Sequence, residues 1–226
     1  MSLEQLLLGL PIFLFSVIAH EYAHGFAALK QGDPTAYQLG RLTWNPIKHI
    51  DPFLTLLLPA MTYWGSGGAM IFGGAKPVPV VPRNYRNFKR GDIIVSLAGV
   101  GANAVIALAC VMLAVAVGAL GRSAPDAAPA LGYAQEMLRF GILINLVLIM
   151  FNLLPLPPLD GSHVMKYLLP PAWAMHYQRI GAYGLLILIL LLSFAPAVIA
   201  TWMAPVRLLM GVAIRLIAPF DLREPT

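Results

Sequence analysis

Apolar residues gather into six runs, at 3–29, 53–72, 93–120, 137–156, 182–200 and 201–218, separated by short stretches rich in proline, glycine and charge. An α-helix needs about 20 consecutive apolar residues to cross the hydrocarbon of a bilayer. The first, third, fourth and fifth runs have that quality and are predicted to cross. Pro59 and the glycines between Gly65 and Gly74 interrupt the second. The sixth carries Pro205, Arg207 and Arg215, so it either crosses or lies at the interface with its arginines among the headgroups. Between the first two runs, Gly40-Arg41-Leu42-Thr43-Trp44-Asn45-Pro46 alternates and then turns as a short strand does. Backbone of that kind at membrane depth must be paired or must line a cavity.

Composition strengthens this reading. Of 226 residues, 59% are hydrophobic and 11% charged, with a mean hydropathy of +0.76, which excludes the polar surface of a soluble domain. The fold class expected is an all-α polytopic membrane protein with a short membrane-associated β-hairpin or strand region. The length suits roughly four to six crossings and leaves no room for a separate soluble domain. A single integral-membrane domain is therefore expected over 1–226. The first run lacks the basic start and small-residue cleavage site of a signal peptide and reads as a retained helix. The lone cysteine, Cys110, lies in an apolar run, so any metal must be held by His, Asp or Glu.

The net charge of +5 comes from basic residues that flank apolar runs, with no basic stripe interleaved with aromatics. This points to a lipid bilayer as partner and away from nucleic acid. Lys30, Arg41 and Lys48 precede the second run, and Lys76, Arg83, Arg86, Lys89 and Arg90 follow it. Positive loops face the cytoplasm, so the run 53–72 is expected to enter and leave on one side as a re-entrant segment, with a complete crossing as the alternative.

Near the end of the first run stands His20-Glu21-Tyr22-Ala23-His24, an H-E-x-x-H pattern. Residues four apart share a helix face, so both imidazoles can reach one metal ion while Glu21 takes a proton from its water. Ionisable groups inside an apolar run cost about 2.5–3.5 kcal/mol each on insertion scales, and three lie close together here with no basic partner in the run. A catalytic zinc uses three protein ligands and keeps a fourth position open. The best third ligand is Asp160, just after the fourth run, where Pro155, Pro157 and Pro158 end the helix. A meeting of Asp160 with the histidines needs the first and fourth runs to point the same way. That leaves the second run without a net crossing, in agreement with the charges. His163, three residues beyond Asp160, reads as interfacial, and His49 and His176 fall in loop-like segments.

The pairing of His20-Glu21-x-x-His24 with Asn152-x-x-Pro155-x-x-x-Leu159-Asp160-Gly161 resembles the site-2 protease family of intramembrane metalloproteases. Gly40-Arg41-Leu42-Thr43-x-Asn45-Pro46, His49-x-Asp51-Pro52 and Ala75-Lys76-Pro77-Val78-Pro79-Val80 resemble its short prokaryotic branch, which lacks PDZ and CBS domains. The resemblance implies a catalytic core of three membrane helices (3–29, 93–120 and 137–161), a strand and re-entrant region over 36–80, and additional C-terminal helices over 177–219. It also implies Zn2+ held by His20, His24 and Asp160, with Glu21 as catalytic acid and base. In the middle core helix the family often has Gly-Pro-x-x-Asn, where this chain has Gly99-Val100-Gly101-Ala102-Asn103. The Asn is kept and the Pro is not. Asn103 and Asn152 are candidate substrate-binding residues, each with the alternative of bonding a neighbouring helix. The function expected is hydrolysis of peptide bonds in a transmembrane protein substrate, with localisation in a prokaryotic plasma membrane. Two rivals, a metal transporter or sensor and an inactive relative, are weighed against it. No inverted repeat or polar pathway over several helices supports the first, and the intact His20, Glu21, His24 and Asp160 argue against the second.

Overall fold

The structure, a computed structural model of the chain, describes residues 3–65 and 73–222. It is built of helices: α1 (Leu3–Gln31), α2 (Thr35–Gln38), α3 (Leu58–Gly65, entered through a π-helical turn at Pro52–Leu57), α4 (Phe88–Ser123), α5 (Ala128–Asn152), α6 (Asp160–Met165), α7 (Pro171–Ile180), α8 (Gly184–Phe194), α9 (Pro196–Trp202) and α10 (Ala204–Ile217). Among the described residues, four stretches are long and apolar enough to cross a membrane: Leu8–Gln31, Phe88–Ser123, Pro125–Asn152 and Pro171–Phe194. Pro196–Trp202 and Ala204–Phe220, bent by 44°, add a fifth if they count as one span. The fifth run thus starts earlier than its apolar residues suggest, and His176 sits in α7 instead of a loop.

No β-strand occurs among the described residues, which corrects the strand expected at 40–46 and the β-hairpin region around it. The N–H groups of Gly40 and Arg41 turn back to the carbonyls of Tyr37 and Ala36 and close α2, with Gly40 at a φ of 62°. Pro46–His49 then forms a 3-10 turn. Pro77 and Pro79 have no N–H to offer a ladder in the facing segment. The alternation of Leu42 and Trp44 has another cause, for Trp44 stacks on Tyr22 of α1 with ring centroids 4.8 Å apart, and Leu42 lies against Gly25 of the same helix. The helical part of the second run, six residues at Pro52–Leu57 and eight at Leu58–Gly65, spans about 20 Å, too short to cross by itself. The glycine-rich stretch 66–72 lies outside the described residues.

The chain divides into two compact units, one of Val17–Gly99 and one of Met1–Ser16 with Val100–Thr226. In the first, α1 ends in a glycine-terminated turn. Gly32, at a φ of 111°, donates to Leu29 at 3.2 Å and Asp33 to Ala28 at 2.9 Å. This closing pattern caps the orphan carbonyls and needs a residue free to adopt positive φ. The Gln31 carbonyl receives the Arg86 N–H at 2.8 Å, and Ala28, Tyr85 and Val95 make a small core.

In the other unit, α4, α5 and α10 pack around Ala107, Cys110, Ala114, Leu138, Ile142, Leu146, Val206, Ala213 and Ile217. The thiol of Cys110 lies against Gly141, as a small core residue would. Three buried polar side chains join helices here. Asn103 Nδ2 donates to Asn145 Oδ1 at 2.7 Å, and Asn145 Nδ2 donates to Ser16 Oγ at 2.8 Å. Ser16 Oγ in turn donates to the Ile12 carbonyl at 2.7 Å. Gly161 follows the proline-rich turn after α5, and a Cβ there would collide with the backbone carbonyl of Leu153, so only glycine lets α6 start this close to the end of α5.

Candidate metal centre

The histidine pair is set by the helix that carries it. His20 and His24 lie one turn apart on α1, and their Nε2 atoms converge to 3.0 Å with the rings edge to face at 81°. Two nitrogens bound to one tetrahedral ion at 2.0–2.1 Å lie about 3.3 Å apart, so the pair is nearly in ligating register. His24 Nδ1 lies 2.7 Å from the Val95 carbonyl oxygen of α4. A carbonyl only accepts, so Nδ1 carries the ring proton and Nε2 keeps its lone pair for a metal.

Gly99, one turn beyond Val95 on α4, gives the two rings their room. A Cβ at that position would lie 2.5 Å from His20 Cε1, 2.5 Å from His24 Nε2 and 2.7 Å from His20 Nδ1. The imidazoles therefore rest on bare helix backbone, and His20 is buried there. A pair of imidazoles that converge through Nε2 is a donor set suited to zinc.

Glu21, half-buried on the same helix, accepts the Val78 N–H on its Oε2 at 2.8 Å. One carboxylate oxygen is thereby fixed by backbone. Tyr22, between the two histidines, stacks on Trp44 and on Phe26, a packing role. His49 is buried and its Nε2 donates to the Thr43 carbonyl at 2.9 Å, which makes it a brace of the loop.

The remaining candidates belong to the other unit. Asp160 is the first residue of α6 and is half-buried, with His163 on the same helix. Asn103 is fully buried, its amide directed to Asn145 and, at 3.4 Å, to the Ser16 carbonyl. Asn152 turns its amide back to the Leu148 carbonyl of its own helix at 2.9 Å. Sequence reasoning passed over the Val95 carbonyl, the Val78 amide and the contact face of Gly99. The first two are backbone groups without a residue signature. Gly99 was visible as a small residue in a membrane helix, where close approach is the usual reason.

The chain resembles known proteins over most of its length. Peptidase family M50 matches over residues 116–194. A Bacillus subtilis protein, YwhC, provisionally named a zinc metalloprotease, is 38% identical over 178 residues, 79% of this chain and 76% of that protein. Rip2 of Mycolicibacterium smegmatis, named in the same provisional way, is 33% identical over 180 residues, 80% of this chain and 64% of that protein. Rip2 of Mycobacterium tuberculosis is 32% identical over 159 residues, 70% of this chain and 56% of that protein. The chain spans less than two thirds of either Rip2. No solved structure matches it.

Proposed function

We propose that this chain, which belongs to peptidase family M50 and so to the site-2 proteases, is a zinc metalloprotease that cuts membrane-spanning proteins within the bilayer. Its relatives carry the metalloprotease name, and its apolar helices make it a membrane protein. The observation that carries the reading is the convergence of His20 and His24 through Nε2, with the His24 tautomer set by Val95 and Glu21 beside them. The donor set we propose is His20, His24 and Asp160, two neutral imidazoles and a carboxylate, which leaves one position open as a catalytic site requires.

Zinc, when bound, supplies a Lewis acid that polarises the scissile carbonyl and brings the ionisation of water into the neutral range. Glu21 accepts the proton of the attacking water through its second carboxylate oxygen and passes it to the leaving amine nitrogen as the C–N bond breaks. The burial of His20 against the Gly99 backbone keeps bulk water from that side of the site, which strengthens the electrostatic contribution of each group. A helical substrate holds its carbonyls in internal hydrogen bonds, so a transmembrane substrate unwinds locally before it is cut. A prokaryotic plasma membrane is the proposed location, consistent with the bacterial relatives.

The test is purified chain in detergent with a membrane-spanning substrate, wild type against Glu21→Gln. The variant is expected to retain zinc at wild-type stoichiometry and to lose cleavage. Cleavage by Glu21→Gln at the wild-type rate would remove Glu21 from the reaction.

A further inference from the structure

Residues 75–82 contain three prolines, Pro77, Pro79 and Pro82, so few amides there can donate. Those that do are directed. Lys76 N–H donates to the His49 carbonyl at 2.8 Å, Val78 N–H to Glu21 Oε2 at 2.8 Å, and Val81 N–H to Asp33 Oδ2 at 2.6 Å. On the N-terminal side, Arg41 Nη2 donates to the Lys76 and Pro77 carbonyls at 3.1 and 3.4 Å. Beyond Val81, Asn84 Nδ2 donates to Asp33 Oδ1 at 2.8 Å. Asp33 is fully buried and sits two residues past the end of α1, the helix that carries Glu21.

The segment is thus fastened on both sides of Val78, by Arg41 and the His49 carbonyl before it and by Asp33 after it. Lys76, Val78 and Val81 each precede a proline, which restricts them to extended backbone, and prolines fix their own φ. A segment of this kind has little freedom to shift along α1 once its ends are held. Val78 itself is buried, with a Cγ against Gly25 of α1.

We infer that residues 75–82 form a strap that orients the catalytic glutamate. The Val78 N–H holds Glu21 Oε2, so that the other oxygen is the one presented to water, and Asp33 and Arg41 are positioning residues that set the height of Val78 on α1. This rests on the protease reading for its catalytic consequence, but the bond between Val78 and Glu21 is a property of the chain alone. A carboxylate held by one oxygen is pre-oriented for proton transfer through the other, whereas a free Glu side chain samples several rotamers. Displacing a catalytic group by about 1 Å can cost on the order of 100-fold in rate.

The experiment uses the full chain in detergent and compares wild type, Val78→Pro and Val78→Ala. Proline deletes the donor together with the side-chain atoms that lie against Gly25, whereas alanine keeps the N–H and trims the same side chain, so the difference between the two variants reads the donor. Val78→Pro is expected to bind zinc at wild-type stoichiometry, to keep KM for a membrane-spanning substrate within about threefold, and to lose roughly 10–100-fold in kcat. Val78→Ala is expected to lose far less. Wild-type kcat in Val78→Pro, or an equal loss in both variants, would overturn the inference. A second readout does not depend on cleavage. Hydrogen exchange of the Val78 amide is expected to be slow in wild type and fast in Glu21→Ala, and fast exchange in wild type would overturn the inference as well. If zinc-loaded wild type cuts no membrane-spanning substrate, the protease reading fails while the exchange experiment still decides the strap.

Discussion

His24 Nδ1 and the Val95 carbonyl oxygen lie 2.7 Å apart, and this one bond between α1 and α4 decides that Nε2, the nitrogen turned toward His20, is the one without the proton. Without it the ring could carry its proton on either nitrogen, and the Nε2–H tautomer would point a hydrogen at the site. Outer partners of this kind hold the ligand's orientation and are worth about 10–100-fold in metal affinity. In the proposed zinc site, His24 would thus be oriented as a donor by the chain itself.

Gly99→Ala tests how closely that preparation is fitted. The added methyl would lie 2.5 Å from both His20 Cε1 and His24 Nε2, against helix backbone on the other side, so the rings must give way. Zinc affinity is expected to fall roughly 10–100-fold, with the helix content unchanged, as measured by competition with a chromogenic chelator and by circular dichroism. Gly101→Ala is the control, since nothing lies within 4 Å of a Cβ there. Equal zinc affinity in wild type and Gly99→Ala would show that the rings do not rest on that backbone.

Much of this site is legible in the sequence, and the remainder is not for identifiable reasons. His20, Glu21 and His24 announce themselves because a helix turns the four-residue spacing into one face, and polar groups in an apolar run demand an explanation. Asp33, by contrast, reads as an ordinary residue after a helix, since the amide that it holds belongs to Val81, 48 residues later. The strand was misread because Leu42 and Trp44 alternate for a reason other than a sheet, namely packing on Gly25 and Tyr22. Asn103 matched a family position associated with substrate, yet its amide is directed at Asn145, a residue nothing in the sequence had singled out. Polar partners 42 positions apart leave no local pattern to read.

The Ser16, Asn103 and Asn145 chain should behave as a structural unit. Asn145→Ala takes away the acceptor of the shortest Asn103 bond and the donor to Ser16, and buried polar groups deprived of partners cost about 1–3 kcal/mol. In membrane bundles measured couplings are smaller, about 0.6 kcal/mol on average and up to about 1.7. Unfolding in mixed micelles is expected to show a loss of about 1–2 kcal/mol for Asn145→Ala. The Asn103→Ala and Asn145→Ala losses should be less than additive in the double variant. Full additivity would mean that the two side chains do not share their bond. A rise in KM with stability preserved in Asn103→Ala would instead favour contact with substrate.

Asp33 offers a test through pH. Burial alone pushes its carboxyl pKa up, but bonds from the Thr35 hydroxyl, the Val81 and Thr35 amides and the Asn84 side chain outweigh it and leave Asp33 below its ordinary value of 3.8. A carboxylate with a depressed folded pKa contributes stability in full above its unfolded pKa and loses it as pH falls through the folded one. Tyr85, the buried neighbour, does not interfere, since burial first and the charges of Asp92 and Asp33 after it push its pKa further up and it stays neutral in this range. Asp33→Asn removes the charge and puts an amide nitrogen where an oxygen accepted an N–H. It is expected to unfold at a lower temperature than wild type from pH 8 down to about 5 by a constant margin. Below 3.8 the margin should shrink as the wild-type carboxylate becomes protonated. Thermal unfolding of both proteins across pH 3 to 8 measures this directly, and a margin that stays constant to pH 3 would assign the role of Asp33 to its shape and not to its charge.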